Sequence, residues 1–479
     1  MKIQAVGRHR YDSRIALLAG GQARLAGVLA LLLTAGGPLA AQPLPTTACP
    51  AATSAEARAR PDPLARATFD SAVAIIGRTY FDSTFRGVPW GQLADSLRPI
   101  VEASRERSVT RSAIRTMLDR LGESHFAVVD GTLSADAAPE ATELRSLGIE
   151  VRWIEASVTI SALRPDGPGS RAGLRRGSRI VAVNGCALEP ELRALREQLP
   201  AALVPTRALA RARELLMPRD SAPVRLTIDT GRATPRLATL SVVPAVLSER
   251  LARLGNLGFI PFDVDAARVR EGDREIGVIR FTAWVPPAVA PIDSAVDRFR
   301  DADGIIIDLR GNPGGLGGMV MGVGGHFIDS VVTLGTMRQR GSTLRFVTNP
   351  RRVSTAGVRV APYAGPLAIL IDPQSLSTSE FFAGAMQAVG RARLFGERTG
   401  GMALPAIAER LPNGDVLYHA IADFVDAGNR RLEGVGVTPD VAPPVTRAAL
   451  LDGADPVYDA AIAWMRSQPR STPTGPSRR

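Results

Sequence analysis

The chain has 479 residues, 45% of them hydrophobic and 22% charged, which are the proportions of globular protein with room for two or three domains. Aromatic residues make up only 5%, so any core must rely on Leu, Val, Ile and Ala. The formal charge of +11 is spread along the sequence with no Lys/Arg-rich run, which argues against nucleic acid as a partner.

Residues 1–41 read as a signal peptide. Lys2, Arg8, Arg10, Arg14 and Arg24 form a basic start, and Ala26 to Ala35 is an apolar stretch too short to span a bilayer comfortably. Small residues at Ala40 and Ala41 suit cleavage there. The expected product is exported, periplasmic or secreted, and it contacts a membrane only if the signal stays uncleaved as an anchor. Cys49 and Cys186 are the only cysteines, and in an exported protein they are candidates for one disulfide. Lys2 is the only lysine, so every basic residue of the mature chain is Arg or His.

Residues 42–61 are rich in Pro, Ala, Thr and Ser and read as a linker. From residue 62 apolar residues recur at helical spacing, as in Phe69, Val73, Ile76 and Tyr80, which predicts an N-terminal helical domain over 62–141. A helix around Ile114 and Met117 ends at Gly122 and delivers Glu123-Ser124-His125, followed by a strand over Phe126–Val129.

Residues 142–246 alternate like strands at Leu147–Trp153 and Val158–Leu163. The run from Gly167 to Gly185, G-S-x-A-G-L-x-x-G-x-x-I-x-x-V-N-G in its core, resembles PDZ domains. That resemblance makes Leu147, Gly148 and Ile149 the carboxylate-binding loop, whose N–H groups would hold a peptide C-terminus while the peptide adds as a strand. The alternative is a module that only packs on its neighbour.

The third region, 247–468, opens with a strand over Glu275–Phe281 and a helix over Ile292–Phe299. Gly304-Ile-Ile-Ile-Asp308 and Pro366–Ile371 are continuous apolar runs, as expected of buried, largely parallel strands in an α/β arrangement. The loop from Arg310 to Gly318 fits neither a Walker loop nor a dinucleotide fingerprint, but its glycine N–H groups suit an oxyanion. No cofactor and no metal site is expected. Asp308 and Arg310 read as braces for the loop. Ser375, Ser377 and Ser379 follow the second apolar run, and an amphipathic helix begins near Glu380. Ser377 therefore has two readings: N-cap of an S-x-x-E capping box, or a nucleophile exposed where a strand turns into a helix. Residues 469–479 read as a disordered tail.

Together, Leu121-Gly-Glu-Ser-His125, the PDZ-like run, Asp308-Leu-Arg-Gly-Asn-Pro-Gly-Gly315, Ser375-x-Ser377-x-Ser379-Glu380, Gly396-Glu-Arg-Thr-Gly400 and Glu433-Gly-Val-Gly-Val-Thr-Pro-Asp440 resemble the tail-specific, or C-terminal processing, serine peptidases, in that family's order. The resemblance implies a multidomain α+β protein: an N-terminal helical domain, a PDZ-like domain and a crotonase/ClpP-like α/β protease core. It makes Ser377 the nucleophile. Many members pair that serine with a lysine, but the matching position is Met402, so a Ser–Lys dyad is excluded. The resemblance to the tricorn-like branch then implies His125 as general base, with Glu433 and Ser124 orienting it and Gly314, Gly315 and Thr378 offering oxyanion N–H groups. His326 and His419 read as structural. The implied partners are protein or peptide substrates, with oligomeric state open. The rival is a catalytically inactive peptide- or ligand-binding protein on the same scaffold; an acyl-CoA enzyme is a weaker third, since it leaves the serine constellation without a purpose.

Overall fold

The computed structural model describes residues 62–104, 106–131, 145–198, 204–218, 221–232, 234–246 and 250–469. The expected signal peptide, linker and tail end lie outside these residues, as does Cys49; Cys186 is disulfide-bonded. No helix among the described residues is long and apolar enough to cross a membrane.

The described residues form two compact units, one of 145–246 with 445–455, the other of 62–131 with 250–444 and 456–469. This differs from three consecutive segments. The helices Ala65–Thr79, Trp90–Ser104 and Arg107–Asp119 share a unit with the third region because the strand Ala127–Val129 pairs antiparallel with Val416–Ala420. Phe69, Ile76, Tyr80, Ile114 and Met117 pack in one apolar cluster with Leu411 and Leu417. Arg111 adds a bidentate pair to buried Asp415, at 2.8 and 2.7 Å.

The first unit is built on an antiparallel sheet in the order Ile149–Ile154, Ser157–Leu163, Arg179–Val183, Val224–Asp229, Leu237–Val242. Ala208, Leu209, Ala212 and Leu216 recur at helical spacing on Val204–Leu216, and this face packs on Val151, Ile160, Ile180 and Leu226. Ile149–Ile154 pairs on one side only, so it is an edge strand among the described residues. Arg447 fastens residues 445–455 here, donating to the carbonyls of Gly177 and Asp229.

The second unit contains a five-stranded sheet in the order Val264–Glu271, Arg274–Phe281, Gly304–Asp308, Leu367–Ile371, Arg393–Gly396. The first pair is antiparallel and the remaining pairs are parallel. Every residue of Gly304–Asp308 and of Leu367–Ile371 is buried, which is why both read as unbroken apolar runs. Both strands end at the site: the first runs into the glycine loop, the second into Asp372 and the three serines.

Candidate active site

The turn between Leu367–Ile371 and the helix Thr378–Ala388 is braced by two of its serines. Ser375 Oγ donates to the Leu309 carbonyl at 2.9 Å and accepts from Asp372 N–H at 3.0 Å. Ser379 Oγ accepts from Trp284 Nε1 at 2.9 Å and donates to the Asn312 carbonyl at 3.1 Å. Both are fully buried. Ser377 alone of the three stays partly accessible. Its backbone, at φ 54° and ψ −117°, lies where a residue with a Cβ is strained, as at a nucleophile on a sharp strand-to-helix turn. Ser377 is also the N-cap, and Glu380 closes the capping box from its side by accepting Ser377 N–H at 3.0 Å. The cap is in place, and the accessible side chain is compatible with the other sequence reading as well.

The glycine loop lies directly over this turn. A Cβ placed on Gly314, which has φ 100°, would sit 2.7 Å from Ser377 Cβ and 3.0 Å from Thr378 N, so only glycine fits. Thr378 Oγ1 ties the two segments by donating to the Gly315 carbonyl at 2.9 Å. The expected oxyanion donors need one correction. Gly314 N–H donates to Asn312 Oδ1 at 2.9 Å, because the Asn side chain two residues earlier folds back over the loop, and it is not available to a ligand. Gly315 and Thr378 N–H keep no partner among the described residues, the second because it opens a helix. Asp308 and Arg310 pair with each other at 2.8 and 2.9 Å, consistent with bracing.

His125 follows directly on Ser124, just before the strand Ala127–Val129. Ser124 Oγ lies 2.6 Å from His125 Nδ1 and donates to Glu433 Oε2 at 2.9 Å, while Ser124 N–H donates to Glu433 Oε1 at 2.7 Å. With its proton given to the carboxylate, Ser124 Oγ accepts from Nδ1–H, which leaves Nε2 as the unprotonated ring nitrogen. Burial pushes the imidazole down to about 4, so it is neutral near pH 7. Burial also raises Glu433, against the donors from Ser124 and Ala403. Glu123 is pinned by Tyr80 Oη at 2.6 Å and by Arg86 and Arg431 at 2.8 and 2.6 Å, fixing the backbone that carries Ser124 and His125.

Serine and histidine segments are joined by the residue pair Met402-Ala403. Met402 O accepts Ser377 N–H at 2.9 Å, and Ala403 N–H donates to Glu433 Oε2 at 2.7 Å. The position expected to matter for its missing lysine is thus a backbone bridge. The role of Asn312 had no sequence signal beyond its place inside the glycine-loop motif, and that of Trp284, outside every motif, had none.

The other histidines pair elsewhere. His326 Nε2 lies 2.7 Å from Asp293, and His419 Nε2 lies 3.0 Å from Glu409; both rings are buried. In the first unit, Gly148 N–H donates to Ser146 Oγ at 3.0 Å, so the N–H expected to meet a carboxylate is already engaged by the residue two before it. Leu147 is buried with its carbonyl accepting Gly169 N–H at 2.9 Å, and Ile149 opens the edge strand.

A serine at a strained helix start, over a glycine loop and linked through the Met402-Ala403 backbone to Glu433, Ser124 and His125, is an arrangement suited to acyl transfer. Residues 275–442 match peptidase family S41. The carboxyl-terminal-processing protease of Synechocystis sp. is 24% identical over 398 residues, covering 81% of this chain and 84% of that one. Carboxyl-terminal-processing peptidase 2, chloroplastic, of Arabidopsis thaliana is 26% identical over 381 residues, covering 76% and 66%. The solved photosystem II D1 C-terminal processing protease shares the fold, with a TM-score of 0.55 at 20% identity over 84% of this chain and 98% of that one. These similarities, with the family S41 match confined to residues 275–442, support a C-terminal processing peptidase, a serine-type hydrolase of peptide bonds.

Proposed function

We propose that the protein is an exported serine endopeptidase of the tricorn-like kind, acylated on Ser377 with His125 in place of the family lysine. Ser377 Oγ attacks the peptide carbonyl while His125 Nε2 takes its proton. The N–H groups of Gly315 and Thr378 receive the oxyanion. Histidine then returns the proton to the leaving amine, and water, activated by the same nitrogen, hydrolyses the ester. Glu433 acts through Ser124, orienting the ring and stabilising its charged form.

The observation that carries this reading is the path Ser377–Met402–Ala403–Glu433–Ser124–His125, made of hydrogen bonds and the one Met402-Ala403 peptide bond, in a mature chain without lysine. The first unit is read as the PDZ-like module that engages substrate C-termini by strand addition, a role supported by its one-sided Ile149–Ile154 strand. Labelling with a fluorophosphonate followed by peptide mapping tests the assignment. Stoichiometric labelling at Ser377, lost with folding intact in Ser377→Ala and falling at least about 1,000-fold in rate in His125→Ala, is expected. A folded wild-type chain inert to the reagent would instead make it a peptide-binding protein on the same scaffold.

A further inference from the structure

Glu380 is read from sequence as a helix cap, yet its carboxylate does more than cap. It is fully buried, and every partner found for it among the described residues is an uncharged donor. Oε2 accepts Ser377 N–H and Met402 N–H, both at 3.0 Å. Oε1 accepts Gly401 N–H at 2.8 Å and the Thr399 hydroxyl at 2.5 Å. Thr399 Oγ1 in turn accepts Val437 N–H at 2.7 Å, so its proton is committed to Glu380. One side chain therefore holds the nucleophile's backbone and the 399–402 segment whose next N–H, Ala403, holds Glu433.

Resting on the reading of Ser377 as nucleophile, we propose that Glu380 is a positioning residue whose ionised carboxylate locks serine and relay into register, and that activity switches on as Glu380 loses its proton. All four groups facing the carboxylate are donors, so a proton on either oxygen displaces at least one of them. A titratable group acting on it from a neighbouring segment is Glu433, whose negative charge opposes ionisation. Burial moves the Glu380 carboxyl up to about 7, against the pull of Thr399, Gly401 and Ser377, which puts the transition at neutral pH. His125, held at about 4, is already deprotonated there and contributes no limb near 7.

The test is the second-order rate of fluorophosphonate labelling at Ser377 between pH 5 and 8, beside turnover of an unstructured protein such as casein. In the wild type both should rise about tenfold or more through a limb near pH 7, with circular dichroism unchanged. In Glu380→Gln, which cannot titrate, the limb near 7 should disappear and kcat should fall about 100-fold with KM within about threefold, the cost of misplacing a reacting group by about 1 Å. Glu380→Asp should keep a limb and recover part of kcat. A structural role alone would lower activity without moving the pH profile. If Glu380→Gln does not fold, the wild-type profile still decides: labelling at Ser377 that is flat from pH 5 to 8 overturns this inference alone. Absence of labelling at Ser377 at any pH overturns the reading beneath it.

Discussion

His125 carries two constraints at once. Its φ of 61° places it in the left-handed region, and its ring is desolvated with Tyr418 5.7 Å away. The sign of the resulting pH dependence follows from the depressed value near 4 against an ordinary 6.5. Above 6.5 both folded and unfolded chains hold a neutral imidazole, and the contribution to stability is complete. As pH falls from 6.5 towards 4 the unfolded chain binds the proton first, and stability is lost. Glu380 and Glu433, raised by burial, act in the opposite direction, favouring the folded state at acid pH. The wild-type curve alone therefore mixes the two. Asn tolerates positive φ, so His125→Asn removes the titration without adding strain. The wild type should lose melting temperature relative to this variant between pH 6.5 and 4; a difference that stays constant would mean the imidazole is not desolvated.

At the scale of elements, the placement of His125 depends on a helix that never reaches the site. Arg107–Asp119 carries Arg111, whose bidentate bond to Asp415 clamps the turn preceding Val416–Ala420, and that strand pairs with Ala127–Val129 beside His125. Arg111→Ala leaves a buried carboxylate short of its partner, so chemical denaturation should show a loss of about 3–5 kcal/mol. Labelling at Ser377 should weaken with it. The motifs on either side of this pairing were legible in the sequence because glycines, serines and apolar runs have local causes. Leu367–Ile371 and Gly304–Asp308 read as strands because burial on both faces leaves no polar residue in them before the terminal Asp308. Val264–Glu271 went unread: VDAARVRE places Asp265, Arg268, Arg270 and Glu271 on a partly exposed edge, which no apolar pattern marks. The engagement of Gly314 N–H by Asn312, and of Glu380 by four donors, depends on where side chains fold back, and a one-dimensional spacing does not encode that.

Across the whole molecule, chain order and spatial grouping part company. Residues 62–131 and 250–444 make one unit, whereas 145–246 and 445–455 make the other. The sequence reading of three consecutive segments followed from composition shifts, which mark where the chain changes character and not where it returns. The pairing of Ala127–Val129 with Val416–Tyr418, with the Arg111–Asp415 clamp, has a consequence for how the enzyme can be divided. His125 and Ser377 sit on stretches of polypeptide joined by no peptide bond that the contacts among Ser124, Glu433 and Met402-Ala403 themselves require. Two separately made chains, one ending at residue 131 and one beginning at 145, should be individually inert towards a fluorophosphonate. Mixed, they should regain labelling at Ser377 with an amplitude that saturates in fragment concentration, so that hydrolytic competence becomes a titration of one polypeptide by another.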